Sequence, residues 1–277
     1  ALAVSDFTDK LTNLETDDVW KSRMQTLRMG ESFDPVVPST LKASLRDYQV
    51  EGYKWLTGLA HMGVGACLAD DMGLGKTLQA LAVMLDRAAD GPTLVVAPTS
   101  VCMNWASETN RFAPTLNVTL FGSGNREEVV KGLKGFDVLV SSYGLLLQEA
   151  ELLTSVEWRT IILDEAQAIK NITAKRSQAA MNLRGDFKII TTGTPIENHL
   201  GELWTLFNFI NPGLLGSYDR FSGRYAVPIE KYNDRNARKR LKKLLQPFIL
   251  RRTKAQVLEE LPPRTEVVLQ VEMSREE

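Results

Sequence analysis

Residues 65–77 read GACLADDMGLGKT. A short apolar run, GACLA, passes into a turn carrying two glycines. A helical pattern then starts at Lys76 or Thr77. A strand that enters a helix through such a loop leaves successive backbone N–H groups, backed by the helix N-terminus, free to cradle a polyphosphate. Gly73 and Gly75 permit close approach and positive φ. Lys76 can neutralise the β- and γ-phosphates, and Thr77 can offer its hydroxyl to Mg2+. The template for this loop begins with glycine, yet Asp70 stands at that position and Asp71 follows it. Aspartate tolerates unusual backbone conformations. Two carboxylates nevertheless repel phosphate unless they turn away or meet a cation. Where they point is left open at this stage.

Outward from the loop, apolar β-type runs recur at GACLA (65–69), TLVVAP (93–98), VTLF (118–121), DVLVS (137–141), TIILD (160–164) and KIITTG (188–193). Most lack polar/apolar alternation, as strands buried on both faces do. Helical patterns separate them at 45–61, 77–89, 102–112, 126–133 and 174–183. This alternation predicts an α/β fold, a three-layer α/β/α P-loop NTPase with a mostly parallel sheet. After Gly193 the rhythm changes. A helix is expected over 201–210, closed by NPG (211–213), then a charged and mostly helical stretch to Leu245. PFILRRTKAQVLEEL (247–261) reads as a last helix, and TEVVLQVEM (265–273) as a strand returning to the sheet edge. The expected domains are therefore an N-terminal helical segment and linker (1–40), an ATP-binding lobe (41–215), a helical protrusion (216–246) and a returning helix and strand (247–277).

A nucleotide site also needs an acidic strand tip, and IILDEAQ (161–167) supplies one. Asp164 can hold Mg2+ and Glu165 can orient and deprotonate the attacking water. TTGTPIEN (191–198) follows another apolar strand, although TGTP alone reads equally well as a plain turn.

Composition narrows the classes. The chain has 277 residues, 44% hydrophobic and 24% charged, as in an ordinary globular protein. Cys67 and Cys102 lie in or beside apolar runs, too few for a disulfide framework or a cysteine metal site. His61 and His199 join no cluster. No apolar run approaches the length of a membrane span, and no signal-peptide pattern opens the chain. An intracellular location is expected, cytoplasmic in a prokaryote and nuclear in a eukaryote. The net charge of −1 hides a split: residues 220–254 hold twelve Lys or Arg against two acids, Glu230 and Asp234. Such asymmetry suits a polyanionic partner. No N-K-x-D guanine-reading motif occurs, which disfavours a GTPase.

The motifs taken together carry a family likeness. LRDYQ (45–49), DDMGLGKT (70–77), VAPTS with NW (96–100, 104–105), DEAQAIKN (164–171), TGTPIEN (192–198), LWTLFNFINP (203–212) and PFILRRTKAQV (247–257) occur in this order. The chain resembles the Swi/Snf-type ATPases, double-stranded DNA translocases of helicase superfamily two, over roughly 41–273. The resemblance implies a RecA-like lobe that binds ATP and Mg2+. Its nucleotide-contacting set would be Gln49, reading the adenine edge, with Asp71, Met72, Gly73, Leu74, Gly75, Lys76, Thr77 and Leu78. Thr77 and Asp164 would hold the metal, and Lys76, Asp164, Glu165 and Gln167 would be catalytic. Gln167 would couple nucleotide state to the next strand, with Thr192, Gly193, Thr194 and Pro195 as the coupling segment. Thr99, Ser100, Ser141 and Ser142 would hold phosphates of one DNA strand, although without the likeness they read as helix caps. The basic stretches 237–245 and 250–254 would face duplex DNA. Trp55, Trp105 and Trp204 are expected to pack rather than stack on bases.

The family engine has two RecA-like lobes, the second supplying arginine fingers. The chain reads as the first lobe alone, expected to bind ATP·Mg and DNA weakly and to hydrolyse poorly without its partner lobe. Two competing readings are a catalytically dead nucleotide-gated DNA-binding module and a strand-separating helicase of the same superfamily. Lys76, Asp164 and Glu165 disfavour the first, and the segments 203–212 and 247–257 disfavour the second.

Overall fold

The computed structural model describes residues 34–122, 124–193 and 199–257. Residues 1–33 of the expected N-terminal helical segment, the strand expected over 265–273, and Thr194 and Pro195 lie outside these residues. Seven parallel strands form one sheet: β1 (Ala66–Leu68), β2 (Thr93–Ala97), β3 (Asn117–Leu120), β4 (Asp137–Ser142), β5 (Glu157–Leu163), β6 (Arg184–Thr191) and β7 (Ile249–Leu250). Their order is β3-β4-β2-β5-β6-β1-β7.

Alternate strand residues feed two separate cores, which is why the runs read as continuously apolar. Ala66, Leu68, Val95, Ala97, Ile162 and Ile189 face one side. There they meet α1 (Asp47–His61), α2 (Lys76–Arg87) and α3 (Thr99–Phe112). Cys67, Leu94, Val96, Ile161, Leu163 and Ile190 face the other side. That side is covered by α4 (Arg126–Lys131), α5 (Tyr143–Gln148), α6 (Ala150–Thr154), α7 (Lys175–Met181) and α8 (Leu200–Ile210). The result is the expected α/β/α sandwich. Cys67 and Cys102 belong to opposite cores and are both buried free thiols.

The departures have physical causes. β3 is largely exposed because it pairs on one side only. β6 begins four residues before the apolar run 188–193, where Arg184 and Gly185 extend the ladder onto Glu157 and Trp158. β1 is short because Asn211, at the end of α8, brackets Gly65: its Oδ1 accepts from Gly65 N at 2.8 Å and its Nδ2 donates to Gly65 O at 3.0 Å. The NPG that closes α8 therefore also sets the start of β1. Helices α5 and α6 were not expected. The largest correction concerns 247–261, which is not one continuous helix: after a 3-10 turn (Gln246–Phe248) the chain becomes extended. Ile249 and Leu250 pair with Cys67 and Leu68 as edge strand β7, and helix resumes only at α12 (Lys254–Val257) among the described residues.

Between α8 and β7 the chain forms α9 (Tyr218–Phe221), a π-helical turn (Ser222–Ala226), α10 (Val227–Tyr232) and α11 (Arg235–Leu245). Asp234 caps α11 through Asn236 N and Ala237 N at 2.8 and 3.0 Å. Ala237, Leu241 and Leu245 are buried at helical spacing, so the intervening Arg235, Lys239, Arg240, Lys242 and Lys243 stand exposed. No helix among the described residues is long and apolar enough to cross a membrane.

Candidate active site

The C-terminal tips of the parallel strands carry the candidate residues, at the edge where open α/β sheets bind ligands. β1 enters the loop 69–75 and α2 starts at Lys76. Gly73 and Gly75 have φ of 84° and 77°, values that favour glycine. Gly75 is the N-cap of α2 and no side chain caps that terminus. The first-turn N–H groups of a helix have no intrahelical partner and suit an anion. A Cβ on Gly75 would also lie 2.3 Å from Nε2 of Gln49.

The two aspartates do turn away. Asp70 is fully buried and pairs with Arg252, Nε to Oδ1 at 3.0 Å and Nη2 to Oδ2 at 2.5 Å. Asp71 accepts from Lys254 N through Oδ2 at 3.1 Å. Lys76 Nζ donates to the Asp70 and Asp71 carbonyls at 2.7 and 3.4 Å, so the ammonium is held against the loop. Met72 is exposed, Leu74 is buried and Leu78 is half-buried. Gln49 has both ends of its amide engaged: Oε1 accepts from Arg46 N at 2.9 Å and Nε2 donates to Leu74 O at 3.1 Å. In this structure it braces the phosphate loop, so reading adenine requires exchanging those bonds.

Asp164 follows β5 and is fixed from several sides. Trp105 Nε1 donates to Oδ2 at 2.8 Å, the Thr191 hydroxyl donates to Oδ1, and Glu165 N donates to Oδ1 at 3.0 Å. The Tyr143 hydroxyl donates to the Asp164 carbonyl at 2.8 Å, and burial, then Asp164 and Glu165, push that phenol well up. Glu165 adopts φ of 48°, uncommon for a residue with a side chain. Gln167 Nε2 donates to Glu165 Oε2 at 2.8 Å, and its Oε1 accepts from the Thr192 hydroxyl at 3.1 Å. One relay therefore joins the tips of β5 and β6. Gly193 lies beside Met72: a Cβ there would sit 3.6 Å from its Cγ.

Two participants escaped the sequence reading. Trp105 does pack, at 2% exposure, but it also orients Asp164. Three residues on, Glu108 lies beside Thr77. Burial raises its carboxyl, Thr77 counters this, Asp164 adds to the rise and Arg111 lowers it. The W-x-x-E spacing on a helix was the available signal. Trp55 and Trp204 pack as expected, donating to the Pro247 and Gly216 carbonyls at 3.1 Å each.

The four residues expected on DNA separate into two pairs. Thr99 and Ser100 are exposed in the first turn of α3. Ser141 is fully buried and donates to the Ser142 carbonyl at 3.3 Å, while Ser142 Oγ caps α5 through Leu145 N at 3.2 Å. Ser142 therefore serves as a helix cap, whereas Ser141 is an enclosed residue of β4. Arg252 likewise is spent on Asp70 rather than facing outward.

No cluster of three or more His, Cys, Asp or Glu among the described residues could cage a metal. Mg2+ needs no such cage, since one or two protein oxygens plus substrate phosphates and waters suffice. Asp164, just after β5, and Thr77, in the first turn of α2, offer oxygens of the kind Mg2+ takes on those terms. A cavity of about 440 Å3 between α8, α11 and β7 is lined by Leu200, Leu203, Ile229 and Leu241 among others, and by none of these site residues.

The model of the SNF2-related domain matches residues 48–277. The chain belongs to the SNF2-related family. It is 47% identical over 225 residues to the "Putative ATP-dependent helicase/translocase YwqA" of Bacillus subtilis, covering 79% of this chain and 24% of that protein. It is 38% identical over 280 residues to the ISWI chromatin-remodeling complex ATPase CHR11 of Arabidopsis thaliana, covering 96% of this chain and 26% of the relative. Among solved structures, the Sulfolobus solfataricus SWI2/SNF2 ATPase core in complex with dsDNA matches at TM-score 0.76 and 43% identity, over 83% of this chain and 49% of that one. The chain thus spans about a quarter of the curated relatives' length and half of the solved core. It is an SNF2-family ATPase domain with a RecA-like α/β fold.

Proposed function

We propose that this SNF2-related domain is the ATP-binding motor lobe of a DNA-dependent ATPase that moves along double-stranded DNA and remodels protein–DNA complexes. The observation that carries the reading is the relay from Asp164 through Glu165 and Gln167 to Thr192, beside a phosphate loop whose carboxylates are taken up by Arg252 and the Lys254 N–H. Lys76 and the α2 N-terminus would hold the β- and γ-phosphates. Thr77 and Asp164 would hold Mg2+, which when bound offsets charge on the transferring phosphoryl group. Glu165 would take a proton from the attacking water at its carboxylate, with Gln167 fixing that carboxylate's orientation. ATP and water then give ADP, phosphate and the proton. Because Gln167 also grips Thr192, a shift at Glu165 reaches the strand that leads into the coupling segment.

The exposed first turn of α3, with Thr99 and Ser100, supports contact to a DNA phosphate. The basic face of α11 supports a second, sequence-independent contact. Residues 41–215 with β7 would form the ATP-binding lobe and 216–246 an inserted protrusion, and a second RecA-like lobe would complete the site. The dsDNA in the Sulfolobus structure favours a duplex track. The test is the ATPase rate of the full-length protein against duplex length, beside single-stranded DNA and RNA. Rise with duplex length supports tracking; equal stimulation by all three, or none, rejects it.

A further inference from the structure

Asp70 and Arg252 lie 182 residues apart in sequence. Asp70 is wholly enclosed and the Arg252 side chain is 11% exposed. The guanidinium grips both carboxylate oxygens in a fork, and Arg252 N adds a third bond to Oδ1 at 3.0 Å. Its other donors reach the Tyr48 carbonyl and, at 2.8 Å, Gln79 Oε1. It also lies 5.2 Å above the Tyr48 ring. Tyr48 in turn donates to the Leu74 carbonyl at 3.2 Å, closing a circle around the loop. The backbone repeats the tie: Ala69 N donates to Leu250 O at 2.7 Å and Asp71 N to Arg252 O at 3.0 Å. A Cβ on Gly52 would fall 1.8 Å from Gln79 Oε1 and 2.8 Å from Arg252 Nη2, so only glycine leaves room for the network.

We infer that Arg252 is a positioning residue for the phosphate loop: by holding Asp70 turned out of the anion nest, it makes an acidic loop compatible with a polyphosphate and ties that loop to the segment returning from the helical insert. The inference rests on the loop being a nucleotide site. A carboxylate deprived of its partner is costly to keep enclosed. Its escape toward water would bring negative charge to the loop, where it opposes phosphate. The effects of the two partners are therefore unequal. Losing the Arg252 side chain leaves the carboxylate its bonds from Arg252 N and, at 3.4 Å, from Gln79 Nε2 but no neutralising charge, whereas losing the Asp70 charge frees nothing that repels phosphate.

The test is calorimetric titration of full-length protein with Mg·ADP, at a temperature where circular dichroism shows every variant folded. Arg252→Gln is expected to weaken binding about tenfold, Asp70→Asn by less than about threefold, and the double variant to recover to within about threefold of the parent. Should Arg252→Gln fail to fold, Arg252→Lys keeps the charge without the fork, and its smaller loss is likewise expected to be recovered by adding Asp70→Asn. Equal losses from either partner, no recovery in the double variant, or parental affinity in both Arg252 variants would overturn the inference. Failure of the parent itself to bind Mg·ADP would instead reject the nucleotide site.

Discussion

Trp105→Phe isolates one bond at Asp164, the aspartate proposed to hold Mg2+. The indole donates to Asp164 Oδ2 at 2.8 Å, from a side chain 2% exposed. A hydrogen bond to a charged acceptor contributes about 1.5–3 kcal/mol. The void left by the smaller ring adds about 1 kcal/mol. The variant should therefore lose about 2.5–4 kcal/mol of stability while remaining folded. Residues that orient metal ligands typically matter about 10–100-fold in metal affinity or activity. Asp164 keeps Thr191 and the Glu165 N–H, so the lower end, about tenfold, is expected for the Mg2+ concentration at half-maximal ATPase rate. Trp158→Phe is the control. Trp158 is 1% exposed and donates to the Leu153 carbonyl at 2.9 Å, at the opposite end of β5 from Asp164. Its acceptor is neutral, so it should cost somewhat less, about 1.5–2.5 kcal/mol, and leave the Mg2+ dependence unchanged. An unaltered Mg2+ midpoint in Trp105→Phe, or the same shift in both variants, would refute the reasoning.

Gln167→Ala severs the relay between Glu165 and Thr192, so kcat and its stimulation by duplex DNA should fall at least about tenfold, with the KM for ATP nearly unchanged; a pure KM effect would contradict the coupling role. Burial pushes the Cys67 thiol from 9.0 up to about 12. The folded state keeps a proton that the unfolded chain releases above pH 9, so this contribution to stability is whole below pH 9 and is lost as pH climbs toward 12. Denaturant titrations of the parent and Cys67→Ala should show a flatter alkaline decline in the variant, and parallel curves would contradict the assignment.

What was legible in the sequence was whatever periodicity and strand-tip chemistry encode locally. The runs at 93–98 and 160–164 became strands because each feeds both cores, and Asp164 could be placed because an acid after a buried strand has few alternatives. Missed features depended on distant partners. β7 has two residues, too few for a pattern, and exists because β1 lies beside it. The partner of Asp70 lies far along the chain, yet an acid at a phosphate loop's first position, with no local cation, was itself a sign that a distant one must meet it. Ser141 and Ser142 were harder to place, because a hydroxyl near a strand's end looks alike in sequence whether it faces solvent, lies enclosed or caps a helix.

The central claim is that the loop after β1 and the acidic tip of β5 hold one nucleotide–metal complex. Titrating a fluorescent ADP analogue into the parent and Lys76→Ala, with and without Mg2+, tests it most directly. Saturable binding that requires Mg2+ and is lost in Lys76→Ala is the expected result. No binding by the parent, or equal binding by Lys76→Ala, would contradict it.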